Sequence, residues 1–144
     1  MTVSESAVRA PQKPLPVASP ESARFWQGAK EHRLLIPHCN ACKKFWFPPS
    51  RLCPHCLSDD SDWESVSGHG KIYSFVVFHR VYHPAFAGEV PYVVAIVELE
   101  EGPRMLTNIV GVPVDQVRCN IPVGVVFDDV SAEVAVPKFT PRPM

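Results

Sequence analysis

The chain has 144 residues, 46% hydrophobic and 20% charged, with a formal net charge of −1. That suits one ordinary core, or one small stapled unit beside one compact domain. It excludes a strongly basic polyanion binder, and no stretch approaches the ~20 apolar residues of a membrane span. The opening "MTVSESAVRAPQKPLPVASP" lacks the apolar run of about 7–15 residues that marks a secretory signal. A cytoplasmic protein is therefore expected, and closely spaced cysteines there read as metal ligands or redox centres rather than disulfides. Charge is unevenly placed. Residues 24–56 hold six Lys/Arg against Glu31 alone, a balance of +5, whereas residues 57–144 hold six against twelve Asp/Glu, a balance of −6.

In chain order, residues 1–18 are proline-rich without apolar periodicity and read as a flexible arm. Ser19-Pro20-Glu21 carries helix-start chemistry: a hydroxyl cap, proline at the first helical position and an acid in the first turn. A helix from about Pro20 to Glu31 follows. Its Phe25, Trp26 and Ala29 cluster on part of one face, where the two aromatics either cover the protein's own core or meet a partner.

"RLLIPHC" predicts a strand entering the first cysteine turn. Cys39 and Cys42 are separated from Cys53 and Cys56 by ten residues, Lys43 to Leu52. This C-x-x-C-x₁₀-C-x-x-C spacing predicts a zinc ribbon, in which two turns present paired thiolates to one tetrahedral ion with no open position for substrate. Such a site is structural. A rubredoxin-type iron centre shares the ligand set, but neither knuckle has glycine after its second cysteine, since Lys43 and Leu57 stand there, and the separation is short for rubredoxin; zinc is favoured. His38 and His55 adjoin a complete shell and read as supporting or exposed residues.

"SDDSDW" reads as a polar turn. Five β-rich runs follow: "GHGKIYSFVVFH", "PYVVAIVELE", "GPRMLTNIVG", "GVVFDDV" and "AEVAVPKF". No long amphipathic helix separates them, and their number suits a five-stranded OB-type barrel. The near-continuous apolar runs suggest strands covered on both faces at several points. The expected protein is mainly β, with a flexible arm at 1–18, helix and ribbon at 19–66, barrel at 67–137 and a C-terminal tail at 138–144.

Taken together, "L-L-I-P-x-C-x-x-C-x-x-x-x-F-P-P", "C-P-x-C", "G-x-G-x-I-Y-S-F" and "P-Y-V-V-A-I-V-E-L-x-E-G-P-R-M-L-T-N" resemble the rubredoxin-like zinc-ribbon/OB-fold family associated with acyl-CoA metabolism, over about residues 20–130. The resemblance implies a small accessory subunit bound to a thiolase-like enzyme: a thiolase, acyltransferase or aldolase working beside a CoA thioester. It implies that catalytic residues belong to the partner and that Cys39, Cys42, Cys53 and Cys56 hold the metal. In that family an arginine often follows the paired prolines directly, whereas here Ser50 stands before Arg51.

The residues by themselves agree on the absence of an active site: no G-x-S-x-G, H-E-x-x-H or P-loop occurs. Cys119, the one cysteine outside the ribbon, has no histidine near it in sequence to activate it. His79 and His83 flank a long connection, "HRVYHPAFAGEVP", whose Tyr82, His83 and Phe86 either wrap their own barrel or contact a partner.

Two readings compete. As an accessory subunit of an acyl-CoA enzyme, the chain would offer Lys43, Lys44 and Arg51 to CoA phosphates and Phe45, Trp46 or Phe47 to adenine, although a solvated basic hairpin accounts for the same side chains. As a single-stranded nucleic-acid module it would need a basic, aromatic groove on the barrel, and the barrel half is acidic. The first reading is preferred.

Overall fold

The computed structural model describes residues 13–143; residues 1–12 of the expected arm and the end of the expected tail lie outside them. Residues 13–18 form neither helix nor strand. Lys13 is ion-paired with Glu89 and stands over the Phe86 ring, 5.3 Å from its centroid.

The single α-helix among the described residues, α1 (Ala23–Lys30), starts later than Pro20. Ser19 and Ser22 satisfy one another: the Ser19 N–H donates to Ser22 Oγ at 2.9 Å and the Ser22 N–H to Ser19 Oγ at 3.2 Å. Residues 20–22 therefore close a turn, and Ser22 takes the cap position. At the other end His32 adopts φ 60°, while the Arg33 N–H reaches the Gly28 carbonyl and the His32 N–H the Ala29 carbonyl, both at 2.9 Å. This is a Schellman-type stop closed by histidine rather than glycine. Phe25 is 4% exposed. Of the two readings, core cover or partner contact, the packing favours core cover, because its ring lies between Trp26 and Phe47, with centroids at 4.9 and 5.2 Å. Trp26 is half-buried against the same core.

Strands β1 (Leu35–Cys39) and β2 (Ser61–Ser65) pair antiparallel, with Leu35 opposite Ser65 and Cys39 opposite Ser61. The run taken for a polar turn thus already contributes its Ser61-Asp62-Trp63 to a strand. Apolar runs supply β3 (His69–Phe78), β4 (Tyr92–Leu99), β5 (Arg104–Ile109), β6 (Pro122–Asp129) and β7 (Ala135–Pro141). They close a barrel in the order β3-β4-β5-β7-β6, antiparallel except where β5 meets β7, which is an OB-type arrangement. Strand β7 takes up residues assigned to a tail from 138 onward, because Lys138 to Pro141 pair with β6.

One core serves both halves. Phe25, Leu34 and Ile36 belong to the same buried cluster as Ile72, Val97, Val123 and Phe139, with Phe45, Phe47 and Trp63 packed against it. Helix α1 lies on β1 and β7, and His32 ties its end to β6 by a 2.8 Å contact with Asp129 while stacking on Phe127.

Gly28 marks the tightest helix–strand approach: a Cβ there would lie 2.7 Å from Leu35 side-chain atoms and 3.1 Å from the Arg33 carbonyl. Alanine favours a helix interior by about 1 kcal/mol, but overpacking costs about 1–3 kcal/mol. Gly28→Ala is therefore expected to lower the thermal midpoint despite its higher helix propensity. Calorimetry that found it unchanged or raised would show that α1 is not pressed against β1.

Candidate metal centre

Each C-x-x-C pair sits in a knuckle built by backbone hydrogen bonds, and the two knuckles repeat each other. The Lys43 N–H returns to the Cys39 carbonyl at 3.0 Å and the Leu57 N–H to the Cys53 carbonyl at 2.8 Å. The Cys39 N–H reaches the Lys44 carbonyl and the Cys53 N–H the Ser58 carbonyl, both at 2.9 Å. Lys43 and Leu57 both adopt φ 65°, the left-handed conformation that glycine would take without strain. The missing glycines are thus absent in sequence while their backbone shape is kept.

The knuckles bring all four sulfurs within 4.8 Å of one another. Cys39 Sγ lies 3.6 Å from Cys56 Sγ and Cys42 Sγ 3.7 Å from Cys53 Sγ. A tetrahedral Zn²⁺ with bonds of about 2.3 Å needs sulfurs about 3.8 Å apart, whereas a disulfide needs about 2.05 Å. The four cysteines therefore form a zinc-ribbon site and suit one divalent ion. Their titration shows what the ion would relieve. The Cys42 backbone N–H, 3.4 Å from Cys39 Sγ, lowers the Cys39 thiol to about 6. Burial raises Cys42. For Cys56 the Ser58 N–H acts downward but is outweighed by the crowding of the other sulfurs and by desolvation, and the thiol is pushed up to about 11. The Cys39 thiolate forms readily while Cys42 and Cys56 resist ionisation, so a cation is what would let these ligands ionise together.

Trp46 caps this cluster from below, buried with Cys39 and Cys53. Its indole N–H donates to Ser50 Oγ at 3.0 Å, and the Ser50 hydroxyl in turn donates a hydrogen bond to the Leu52 carbonyl oxygen at 2.8 Å. His38 supports the first knuckle: its Nε2 lies 3.1 Å from the Lys43 carbonyl oxygen, and its ring packs on Phe45. His55 is exposed, while its backbone N–H donates to Cys53 Sγ at 3.3 Å.

The residues proposed from sequence for CoA separate into two places. Lys43, Lys44 and Phe47 line a cleft of about 460 Å³ together with Phe45 and His55. Arg51 lies elsewhere, in a second cleft with Arg24, Ser61 and Trp63. The opposite wall of the first cleft is Glu101–Gly102–Pro103, the turn between β4 and β5. Sequence reasoning did not find that wall, since the turn is distant in the chain and carries no motif beyond its Gly-Pro. Of the candidate partner contacts, Tyr82 is 70% exposed. His83 is half-buried and accepts the Ala85 N–H at Nδ1, capping a short 3₁₀ turn, and Phe86 packs on Tyr92. Cys119 is exposed. Among the described residues no helix is long and apolar enough to cross a membrane.

Helix, four-sulfur ribbon and closed barrel define a rubredoxin-like zinc ribbon joined to an OB-fold. A family model described as "ChsH2, rubredoxin-like zinc ribbon domain" matches residues 26–62, and one described as "ChsH2, C-terminal OB-fold domain" matches residues 63–128. A "DUF35 domain-containing scaffold protein" from Methanocaldococcus jannaschii is 37% identical over 72% of this chain and 74% of its own. A "probable enoyl-CoA hydratase alpha subunit" from Thermomonospora curvata is 42% identical over 90% of this chain, which spans 40% of that longer protein. Among solved structures, a chain of the "Ltp2-ChsH2(DUF35) aldolase" superposes with a TM-score of 0.81 at 42% identity, covering 88% of this chain and 98% of that one. The chain belongs to this ChsH2/DUF35 family of zinc-ribbon OB-fold proteins.

Two outcomes test the centre. Cys39→Ser is expected to abolish stoichiometric zinc by atomic emission and to unfold the ribbon; full zinc retention would remove Cys39 from the site. Leu57 is 72% exposed, so Leu57→Gly loses little packing and relieves a left-handed strain of about 1–2 kcal/mol, offset in part by about 0.5–1 kcal/mol of added chain freedom. The midpoint should rise by a few degrees in calorimetry, and a fall would contradict the strained knuckle.

Proposed function

We propose that this chain is the non-catalytic, zinc-stapled accessory subunit of a thiolase-like acyl-CoA enzyme that makes or breaks a carbon–carbon bond beside a CoA thioester. The observation that carries the reading is the likeness to a chain of the Ltp2-ChsH2(DUF35) aldolase, which extends over nearly the whole of that chain at 42% identity. The relatives named as scaffold proteins support a role in assembly rather than chemistry.

In this reading one Zn²⁺ is held by Cys39, Cys42, Cys53 and Cys56, and a four-sulfur shell leaves it no position for substrate, so it supplies shape alone. Four reduced cysteines suit a cytoplasmic setting. The ribbon cleft contributes to CoA: exposed Lys43 and Lys44 offer charge to phosphates, and half-buried Phe45 and Phe47 offer flat surface to adenine. Arg51 belongs to a separate basic spot with Arg24, so it would meet the same ligand only at a distance. Nucleic acid is disfavoured by the charge on the barrel, since Lys71 and Arg104 are both paired with Glu98.

Co-expression with a thiolase-like acyl-CoA enzyme from the same organism should yield a stable complex. A chain that captures no such enzyme, and instead binds single-stranded oligonucleotide in a salt-sensitive way, would overturn the proposal. Within the complex, Lys43→Glu with Lys44→Glu should weaken acyl-CoA binding by about tenfold, the scale of one or two exposed charge contacts; unchanged affinity would remove the lysines from the CoA site.

A further inference from the structure

Antiparallel barrel strands alternate between core and solvent, and their outward positions are ordinarily polar. Strands β6 and β7 follow this pattern in part, with Lys138 holding Asp128 at 2.7 Å. The wall made by β3, β4 and β5 departs from it. Register places its outward residues in cross-strand rows: Lys71, Glu98 and Arg104; then Ser74, Ile96 and Leu106; then Val76, Val94 and Asn108; then Phe78 and Tyr92. Their neighbours Val93, Ala95, Val97 and Met105 fill the core. One charged row is thus followed by three with no charge at all. Leu106 is 72% and Val76 54% exposed, so the cover expected from the apolar runs is not supplied by the chain itself.

The edges of this face are closed electrostatically. Arg104 Nε donates to Glu98 at 3.1 Å, Lys71 lies 3.7 Å from the same carboxylate, and the Arg104 guanidinium stands 3.8 Å over the Tyr73 ring, which a β-bulge adds to this side. Asn108 Nδ2 donates to the Val93 carbonyl at 2.9 Å. At the opposite end Tyr82 meets Phe78 edge-on at 5.6 Å, and Phe78 meets Tyr92 at 5.2 Å.

We infer that the outer face of β3–β4–β5 seats the partner enzyme through an uncharged, apolar patch of that enzyme's surface. The inference rests on the subunit reading above and adds which surface carries it. Charge selects the occupant. A polyanion needs free cations, and of those beside this face Lys71 and Arg104 are paired with Glu98 while Arg80 stands over the Tyr82 ring, 5.6 Å from its centroid; an aromatic, charge-depleted centre with a satisfied polar rim is the composition of a protein–protein interface core. Position agrees, because the β4–β5 turn that ends the face is also the far wall of the ribbon cleft. An enzyme seated here extends over Gly102 and Pro103 to Lys43 and Lys44.

The test uses the full chain and its co-expressed enzyme, with affinity measured by titration of the purified proteins. Leu106→Asp, alone and combined with Val76→Asp, should weaken the complex at least tenfold, while Val126→Asp on β6, at a site 37% exposed, should not. Zinc content and circular dichroism report whether each variant is folded. As a measurement free of substitutions, hydrogen exchange of the wild-type chain should slow at 74–78, 92–96 and 104–108 on adding the enzyme. A wild-type complex that tolerates both aspartates and leaves those amides unprotected overturns the face and leaves the subunit reading standing. Absence of any wild-type complex removes both. A wild-type chain that dimerises alone, loses the dimer in Leu106→Asp and still captures the enzyme assigns the face to a second copy and overturns the inference.

Discussion

The stretch between Leu35 and Ser65 cannot fold on apolar burial. Apart from the β1 residues and the partly buried Phe45, Phe47 and Trp63, which lean on the common core, its interior amounts to Cys39, Trp46 and Cys53, with Cys42 alongside. What can hold it is the convergence of four sulfurs on one cation, a contribution of about 10–16 kcal/mol in small zinc modules. The two knuckles position those sulfurs by repeated backbone hydrogen bonds, even at the cost of left-handed lysine and leucine. Everything the ribbon displays follows from this closure. Residues 43–47 form one wall of a cleft only because both ends of the hairpin are tied to the same point.

The ribbon is also continuous with the barrel. Leu34 and Ile36 at its base and Phe25 from the helix share the barrel's core, and His32 bridges to β6. An enzyme bound to the barrel would therefore meet the ribbon cleft at a set orientation. On the proposed reading, an accessory subunit without chemistry of its own would in this way place charge and aromatic surface beside another protein's active site.

Legibility in the sequence varied with the range of the interaction. The C-x-x-C pairs are local, each within one turn, so their spacing revealed the ribbon and all four converging residues. The five apolar runs each became one barrel strand, because alternation and turn residues are also local signals. Phe25 was ambiguous, since an aromatic on a short helix looks alike whether it meets its own core or a partner, and only the packing of Phe47 against it decides. The helix start was read too early because Ser19-Pro20-Glu21 carries generic cap chemistry, whereas Ser22 competes for the same hydroxyl contact. Strand β2 was hidden by its acids, which are tolerated because the strand is paired with β1 at the surface. Arg51 was grouped with Lys43 and Lys44 by proximity in sequence; the Trp46–Ser50 hydrogen bond turns the chain and sends it to another cleft.

The sequence by itself determined the class of the protein: a four-cysteine metal clasp ahead of a five-stranded barrel, acidic and without catalytic motifs. These properties reside in composition and in spacings of a few residues, which no later packing can alter. Only the tertiary structure decided what the clasp faces and what the barrel leaves bare. The β4–β5 turn meets the ribbon across some fifty residues of chain, and the uncharged rows on β3, β4 and β5 exist only once register aligns Val76 with Val94 and Ile96 with Leu106. A one-residue slip would have buried those side chains and turned the core outward.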